Sequence, residues 1–266
     1  MEEFATLKQF LNFPLSSSKE IFALFKTLDG HIFREKDSAG KQRFLYFEGA
    51  RTDKVVLIAH AVTVYDYCYR KSDFFHSIVE ENGILKAVDE NGSPQLSGAD
   101  NRAGVAMLWL LKDSGHSLLL VDGEEASRTG SKWLMKENKD IAERLNKNHR
   151  FMIQLDRCNA SEYKCYNVGS APFRAYIEAQ TGFSEPDYGS LTDICSLCKS
   201  ICGVNLSIGY YYQHSVYEYL KVDEWMRTLT LVRKILASDE LPKFGLSERG
   251  AFERVRFWVG HFLGMN

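Results

Sequence analysis

Residues 54–60 read KVVLIAH, an apolar run closed by a histidine. A run this short, with no polar alternation, predicts a strand buried on both faces of a parallel sheet. Two further runs have the same character, SLLLV at 117–121 and FMIQL at 151–155. Working outward, RFLYFE at 43–48 predicts a strand, as do 173–179 and 204–208. Helices are expected over 3–11 and 18–28, the second with Ser16, Ser17 and Ser18 available as N-caps. A short helix after Asp100 turns Ala103, Met107, Leu110 and Leu111 inward. A late one over 222–236 has Trp225, Met226, Leu229, Val232 and Leu236 on its apolar face and Asp223 as its N-cap. Strands alternating with helices predict an α/β three-layer sandwich around a mostly parallel, mixed central sheet.

The chain has 266 residues, 45% hydrophobic and 26% charged, with a formal net charge of −2. That charge supplies no field that would favour nucleic acid or an anionic membrane. No apolar run is long enough to span a bilayer. The first residues, MEEFATLK, place acids where a secretory signal needs bases, so the expected compartment is the cytoplasm. Six cysteines fit that compartment when reduced. Cys195, Cys198 and Cys202 have C-x2-C-x3-C spacing but no fourth ligand nearby, and they are read as small buried residues along one helix face. With no repeat and no linker, residues 1–266 are expected to form one domain.

In sheets of this class function gathers just beyond the carboxyl ends of the strands. There His60 ends one strand, Asp122 to Glu125 follow the second, and Asp156 follows the third. His214 lies shortly after the last. Taken singly, each has an ordinary reading. His60 suits a strand-end histidine, Asp100–Asn101 an N-cap pair, Glu124–Glu125 solvated loop acids, and His214 a member of a tyrosine cluster. Taken together they form the inventory of metal-dependent hydrolysis. Two divalent ions roughly 3.5–4 Å apart can activate a water and polarise a carbonyl. Imidazole and carboxylate ligands suit zinc, with cobalt or manganese as substitutes. One further, non-ligating carboxylate must move the proton.

Five stretches in order resemble the co-catalytic zinc exopeptidases, which include leucyl-aminopeptidase-like, glutamyl-aminopeptidase-like and carboxypeptidase-like enzymes. LIAHAVTV (57–64) is similar to a strand ending in H-x-D-[TS]-V. SGADNRAGVA (97–106) is similar to G-x-D-[DN]-[KR]-x-G, and DGEEASRTGS (122–131) to E-E-x-G-x-x-G. QLD (154–156) is similar to a strand-ending aspartate, and YYYQHSVYE (210–218) to Y-x-H-[ST]-x-x-E. The resemblance spans about residues 55 to 220 and implies a phosphorylase/hydrolase-like zinc exopeptidase fold. It also implies two metal ions on His60, Asp100, Glu125, Asp156 and His214, with Asp100 bridging and Glu124 as general base. A cis peptide is implied at Asp100–Asn101. Glu218 is read as a helix-start residue or as an acceptor for His214.

The chain departs from that pattern in three places. Val62 occupies the position of the H-x-D aspartate, whose carboxylate would orient the histidine ligand. His60 must then find a backbone carbonyl, a water or another carboxylate. Asp66 lies four residues further on. Ser127 replaces the first glycine after the glutamate pair, and the Asp100–Glu125 gap is short, which implies a truncated helix. Only 57 residues separate Asp156 from His214, too few for an inserted lid or dimerisation domain. The stretch at about 80–98 predicts a small hairpin flap. His31, His76, His116, His149 and His261 match no motif. The leading expectation is an aminopeptidase acting on peptides. The alternatives are a deacylase of N-acyl amino acids or small amides on the same metals, and a weakened relative that only binds metal or peptide. Side-chain preference and oligomeric state are not set by these residues.

Overall fold

The computed structural model of the chain describes residues 2–29, 32–65 and 76–246. Asp66, His31 and His261 lie outside them. The chain opens with helices α1 (Glu2–Leu11) and α2 (Lys19–Phe25), followed by strands β1 (Ile32–Lys36), β2 (Gln42–Phe47) and β3 (Val56–His60). A hairpin of β4 (Ser77–Glu81) and β5 (Ile84–Val88) precedes β6 (Pro94–Gln95) and helix α3 (Ala99–Leu110). Next come β7 (Ser117–Val121), α4 (Thr129–Glu137), α5 (Lys139–Lys147), β8 (Met152–Arg157), β9 (Tyr163–Lys164) and α6 (Ala171–Thr181). The remainder is α7 (Asp193–Leu197), β10 (Gly203–Ser207), β11 (Tyr210–Tyr211), β12 (Tyr219–Lys221) and α8 (Val222–Leu236).

Seven strands form the main sheet in the order β1-β2-β7-β3-β8-β10-β9. The four central strands run parallel, and antiparallel pairing of β1, β2 and β9 completes a mixed sheet. Period-2 alternation divides each buried strand between two cores. Leu57 and Ala59 of β3 face α1, α2, α3, α6 and α8, whereas Val56 and Ile58 face α4, α5 and α7. Leu118 and Leu120 of β7 share the first core, and Leu119 and Val121 the second. The fold is thus an α/β three-layer sandwich. Among the described residues no helix is long and apolar enough to cross a membrane.

Residues 173–179 are not the expected strand but the body of α6. Ser170 Oγ accepts from the Phe173 amide at 3.4 Å, a proline stands in the first turn, and Gly182 closes the helix at φ 69°. These start and stop signals outweigh the β-prone composition, and Phe173 and Ile177, four apart, supply the buried face. Helix α8 spans the expected residues, yet Lys221 holds its N-cap position and Asp223 lies in the first turn, favourable to the dipole without capping. Ser18 holds the N-cap position of α2 without a side-chain cap bond. The cysteine spacing does not define one helix face either. Helix α7 carries only Cys195, Cys198 follows its last residue, and Cys202 sits in the connection to β10. Cys198 and Cys202 are buried, and Cys158, Cys165, Cys195 and Cys198 are free thiols.

A second sheet, ordered β11-β12-β5-β4 with β6 beside β5, ties the 210–221 segment to the stretch that precedes Asp100. Asn82 and Gly83, both left-handed, form the hairpin turn. The tightest junction between layers is Gly104 of α3 against β8. A Cβ there would stand 1.9 Å from the Leu155 carbonyl oxygen and 2.2 Å from Asn101 Oδ1. This backbone-on-backbone contact sets the distance between Asp100, at the start of α3, and Asp156, near the end of β8. Gly104→Ala is therefore expected to lower stability by about 1–3 kcal/mol or more. An unchanged thermal midpoint would contradict that close approach.

Candidate metal centre

His60 is the last residue of β3 and is buried. Its Nδ1 lies 2.9 Å from the Val62 carbonyl oxygen, which can only accept, so Nδ1 carries the hydrogen. Nε2 then points toward two carboxylates, Asp156 Oδ1 at 3.0 Å and Asp100 Oδ1 at 3.2 Å. The acceptor that Val62 cannot offer from its side chain is supplied by its own backbone.

Asp100 sits at a kink that opens α3, and the Asp100–Asn101 peptide is cis. Oδ1 faces His60, while Oδ2 faces His214 Nε2 at 3.2 Å. His214, with a left-handed φ of 62°, comes from the loop between β11 and β12, and its Nε2 also lies 3.1 Å from the Glu125 carboxylate. Three groups of potential ligands have their atoms within 4.8 Å of one another: His60–Glu124–Glu125, and the two that share Asp100, His60–Asp100–Asp156 and Asp100–Glu125–His214. Glu124 thus lies close to His60 and Glu125. Its carboxylate has no hydrogen-bond partner among the described residues and opens into the cavity at the centre. All six residues singled out by sequence converge here.

Surrounding side chains hold these groups in place. Asp156 Oδ2 accepts from Gln154 Nε2 at 2.8 Å and from the Thr192 hydroxyl at 3.0 Å, which leaves Oδ1 for His60. The Asp156 amide donates to Asn205 Oδ1 at 3.1 Å, and its carbonyl accepts from the Tyr210 hydroxyl at 2.6 Å. Glu218 neither starts a helix nor bonds His214. It is buried, and its two oxygens accept from the Ser97 hydroxyl at 2.7 Å and from the Ala99 and Asp100 amides at 3.0 and 3.3 Å. Glu218 therefore fixes the backbone of the bridging aspartate. Sequence reasoning missed Gln154, Thr192, Asn205 and Glu218 in these roles. Gln154 and Asn205 did leave a signal, since a polar residue inside a buried strand needs a partner. Ser127 adopts φ 60°, which explains why the motif it resembles has glycine there.

The donor set fits a pair of divalent ions. A single proton on His60 Nε2 cannot bond two carboxylate oxygens with good geometry, and the same holds for His214. An ion with bonds of about 2.0–2.2 Å can take all the ligands of one group. Ligand atoms around such a tetrahedral ion stand about 3.3 Å apart, close to the 3.0–3.2 Å found here.

Hydrogen bonds to Asp100 and Glu125 push His214 up to about 11, and His60 is raised well above its usual value, the nearby carboxylates outweighing its burial. Asp100 falls below the usual carboxylate range, because its two histidine contacts outweigh burial. Asp156 moves the other way, to about 6, although it too faces His60. Complete burial and the neighbouring charges of Asp100 and Asp193 prevail there. Burial raises Glu125 and raises Glu124 strongly, with adjacent carboxylates adding to both.

No family model matches the sequence, and no curated protein matches it. Solved structures do share its fold. The aminopeptidase PepT from Bacillus cereus matches at a TM-score of 0.59 and 13% identity, over 88% of this chain and 97% of that one. A tripeptidase from Staphylococcus aureus matches at 0.57 and 11%, over 88% and 96%. An aminopeptidase from Desulfurococcus kamchatkensis matches at 0.55 and 13%, over 90% and 95%. The chain carries the fold of these aminopeptidases.

Without metal, His214, pushed up to about 11, holds a proton at neutral pH, and metal uptake on its imidazole must release it. Groups with raised proton affinity compete more strongly as pH falls. Apparent metal affinity should therefore drop between pH 8 and pH 6, by about tenfold per pH unit for each proton released. Calorimetry in buffers of different ionisation enthalpy measures that release. Uptake with no proton release and no pH dependence would contradict this electrostatic picture.

Proposed function

We propose that this chain is a metal-dependent aminopeptidase that removes N-terminal residues from short peptides. The observation that carries this reading is Asp100, whose two oxygens face two separate histidine–carboxylate groups while Glu124 stands close to His60 and Glu125. His60 and Asp156 would hold one ion, His214 and Glu125 the other, and Asp100 would join them. Zinc suits this set, with cobalt or manganese as substitutes. Two divalent ions bound there would activate a water and polarise the scissile carbonyl.

The chain's own groups supply the remaining steps. Glu124 accepts the water proton on its carboxylate and delivers it to the leaving nitrogen. Burial and the surrounding acids raise its proton affinity, which suits a group that must hold a proton between two transfers. Thr192 and Gln154 keep Asp156 turned toward His60, and Glu218 keeps Asp100 between the two histidines. Likeness of fold to solved aminopeptidases supports a peptide as the substrate. Free thiols among the described cysteines support action in the reducing cytoplasm.

Adjacent substitutions test these assignments. Glu124→Gln should lower kcat by about 100- to 10,000-fold while two ions remain bound. Glu125→Gln should instead weaken the metal itself. Metal analysis beside turnover of aminoacyl substrates reads both effects. Full activity in Glu124→Gln, or equal metal loss in both variants, would overturn the roles. Val62 gives a third expectation. Because a neutral carbonyl stands where a carboxylate would polarise His60, the His60-side ion should bind about 10- to 100-fold more weakly than its neighbour. Calorimetric titration should then show two unequal steps, and two equal ones would refute the difference.

A further inference from the structure

The cavity before the candidate metal centre is lined by Asp100, Glu124, Glu125 and Asp156, and by one guanidinium, that of Arg157. Arg157 closes β8 one residue after Asp156, and its side chain is 5% exposed. Its plane is fixed from two sides. Nε and Nη2 donate to Glu162 Oε2 at 3.0 and 2.6 Å, and the guanidinium lies 5.3 Å from the centre of the Tyr188 ring. The Tyr188 hydroxyl in turn donates to Glu162 Oε1 at 2.7 Å.

One nitrogen is left over. Nη1 has no hydrogen-bond acceptor among the described residues. Gly189 keeps the space beside it open, since a Cβ at that position would stand 3.2 Å from Nη1. Arg174, which lines the adjoining cavity of ≈ 340 Å³, is different. Its Nε donates to Glu185 at 2.6 Å, Nη1 to the Gly169 carbonyl at 2.6 Å, and Nη2 to the Tyr166 carbonyl at 2.8 Å. All three nitrogens of Arg174 serve the fold, whereas Arg157 keeps one for a ligand.

We propose that Arg157 determines specificity at this site by receiving a carboxylate of the substrate on Nη1. A guanidinium held rigid before binding loses little freedom when it pairs with an anion, and charge-assisted hydrogen bonds are the strong ones. Two divalent ions would balance the four carboxylates of the wall, so the site would not repel an anion. The peptidase reading supplies the ligand class, and a peptide has two places to carry the group. It is either an acidic side chain on the N-terminal residue or the free C-terminal carboxylate of a dipeptide.

Calorimetry on the metal-loaded full chain, with dipeptides whose CO–NH is reduced to CH2–NH, tests the proposal without turnover. One pair compares reduced Leu-Gly with its carboxamide, and the other compares the carboxamides of reduced Glu-Gly and reduced Gln-Gly. In the wild type the anionic member of one pair should bind about 10- to 100-fold tighter, and the pair that responds identifies the source. Arg157→Gln should abolish that preference. Gly189→Ala, whose Cβ would stand 3.2 Å from Nη1, should reduce it and decides the matter if Arg157→Gln fails to fold. Equal binding within both pairs, or a preference that survives these variants, overturns the proposal. Selective binding with no hydrolysis of the parent peptides would sink the peptidase reading while leaving the role of Arg157 intact.

Discussion

Carboxylates gathered out of water repel one another, and much of this structure is arranged around that cost. Asp100, Glu124, Glu125 and Asp156 lie within one small cavity at the strand ends. Two imidazoles offset part of their charge, each facing a pair of acids through one nitrogen. Such an arrangement is expensive unless cations bind, because desolvated charges need partners as well as hydrogen bonds. Asp100 is the hub. Its two oxygens serve different histidines, so moving its backbone would break both groups at once.

That explains how much of the neighbourhood is given over to holding the hub. Glu218, just before β12 of the second sheet, accepts from the Ala99 and Asp100 amides at the kink and from Ser97. Gly104 allows the following helix to rest on the strand that carries Asp156. Arg102, also buried, reaches the carbonyls of Pro14 and Ser17, tying the N-terminal segment to the same helix. Groups positioned by both sheets therefore converge on Asp100. The main sheet supplies His60, Asp156 and the glutamate pair, and the smaller sheet positions His214 and Glu218.

The strands that build the site were legible because buried parallel strands are short, apolar and closed by polar residues. KVVLIAH, SLLLV and FMIQL all have this form, and their ends carry the chemistry. Residues 173–179 were misread because Phe, Tyr and Ile suit a strand as well as a helix face, and the deciding signals lay outside the run, at Ser170 and Gly182. The supporting groups were harder to find. Thr192 and Glu218 reach the site across 36 and about 118 residues of chain, and no local pattern encodes such a contact. Ser127 shows a further limit, since its left-handed backbone is set by the turn rather than by its own preference.

Val62 shows how a changed residue can leave geometry intact while altering chemistry. In a metal site the carboxylate behind a histidine does two things, fixing the ring and increasing its electron donation. The Val62 carbonyl, at 2.9 Å from Nδ1, accomplishes the first. Being neutral, it contributes less to the second. It also removes one acid from a cluster that already holds four carboxylates, which lowers the repulsion the fold must bear without metal. A backbone acceptor cannot be lost by side-chain substitution, so the ring orientation is tied to the strand itself. The balance between ligand strength and apo-state stability is therefore set at position 62, where the sequence departs most from the motif and the geometry of His60 is nonetheless preserved.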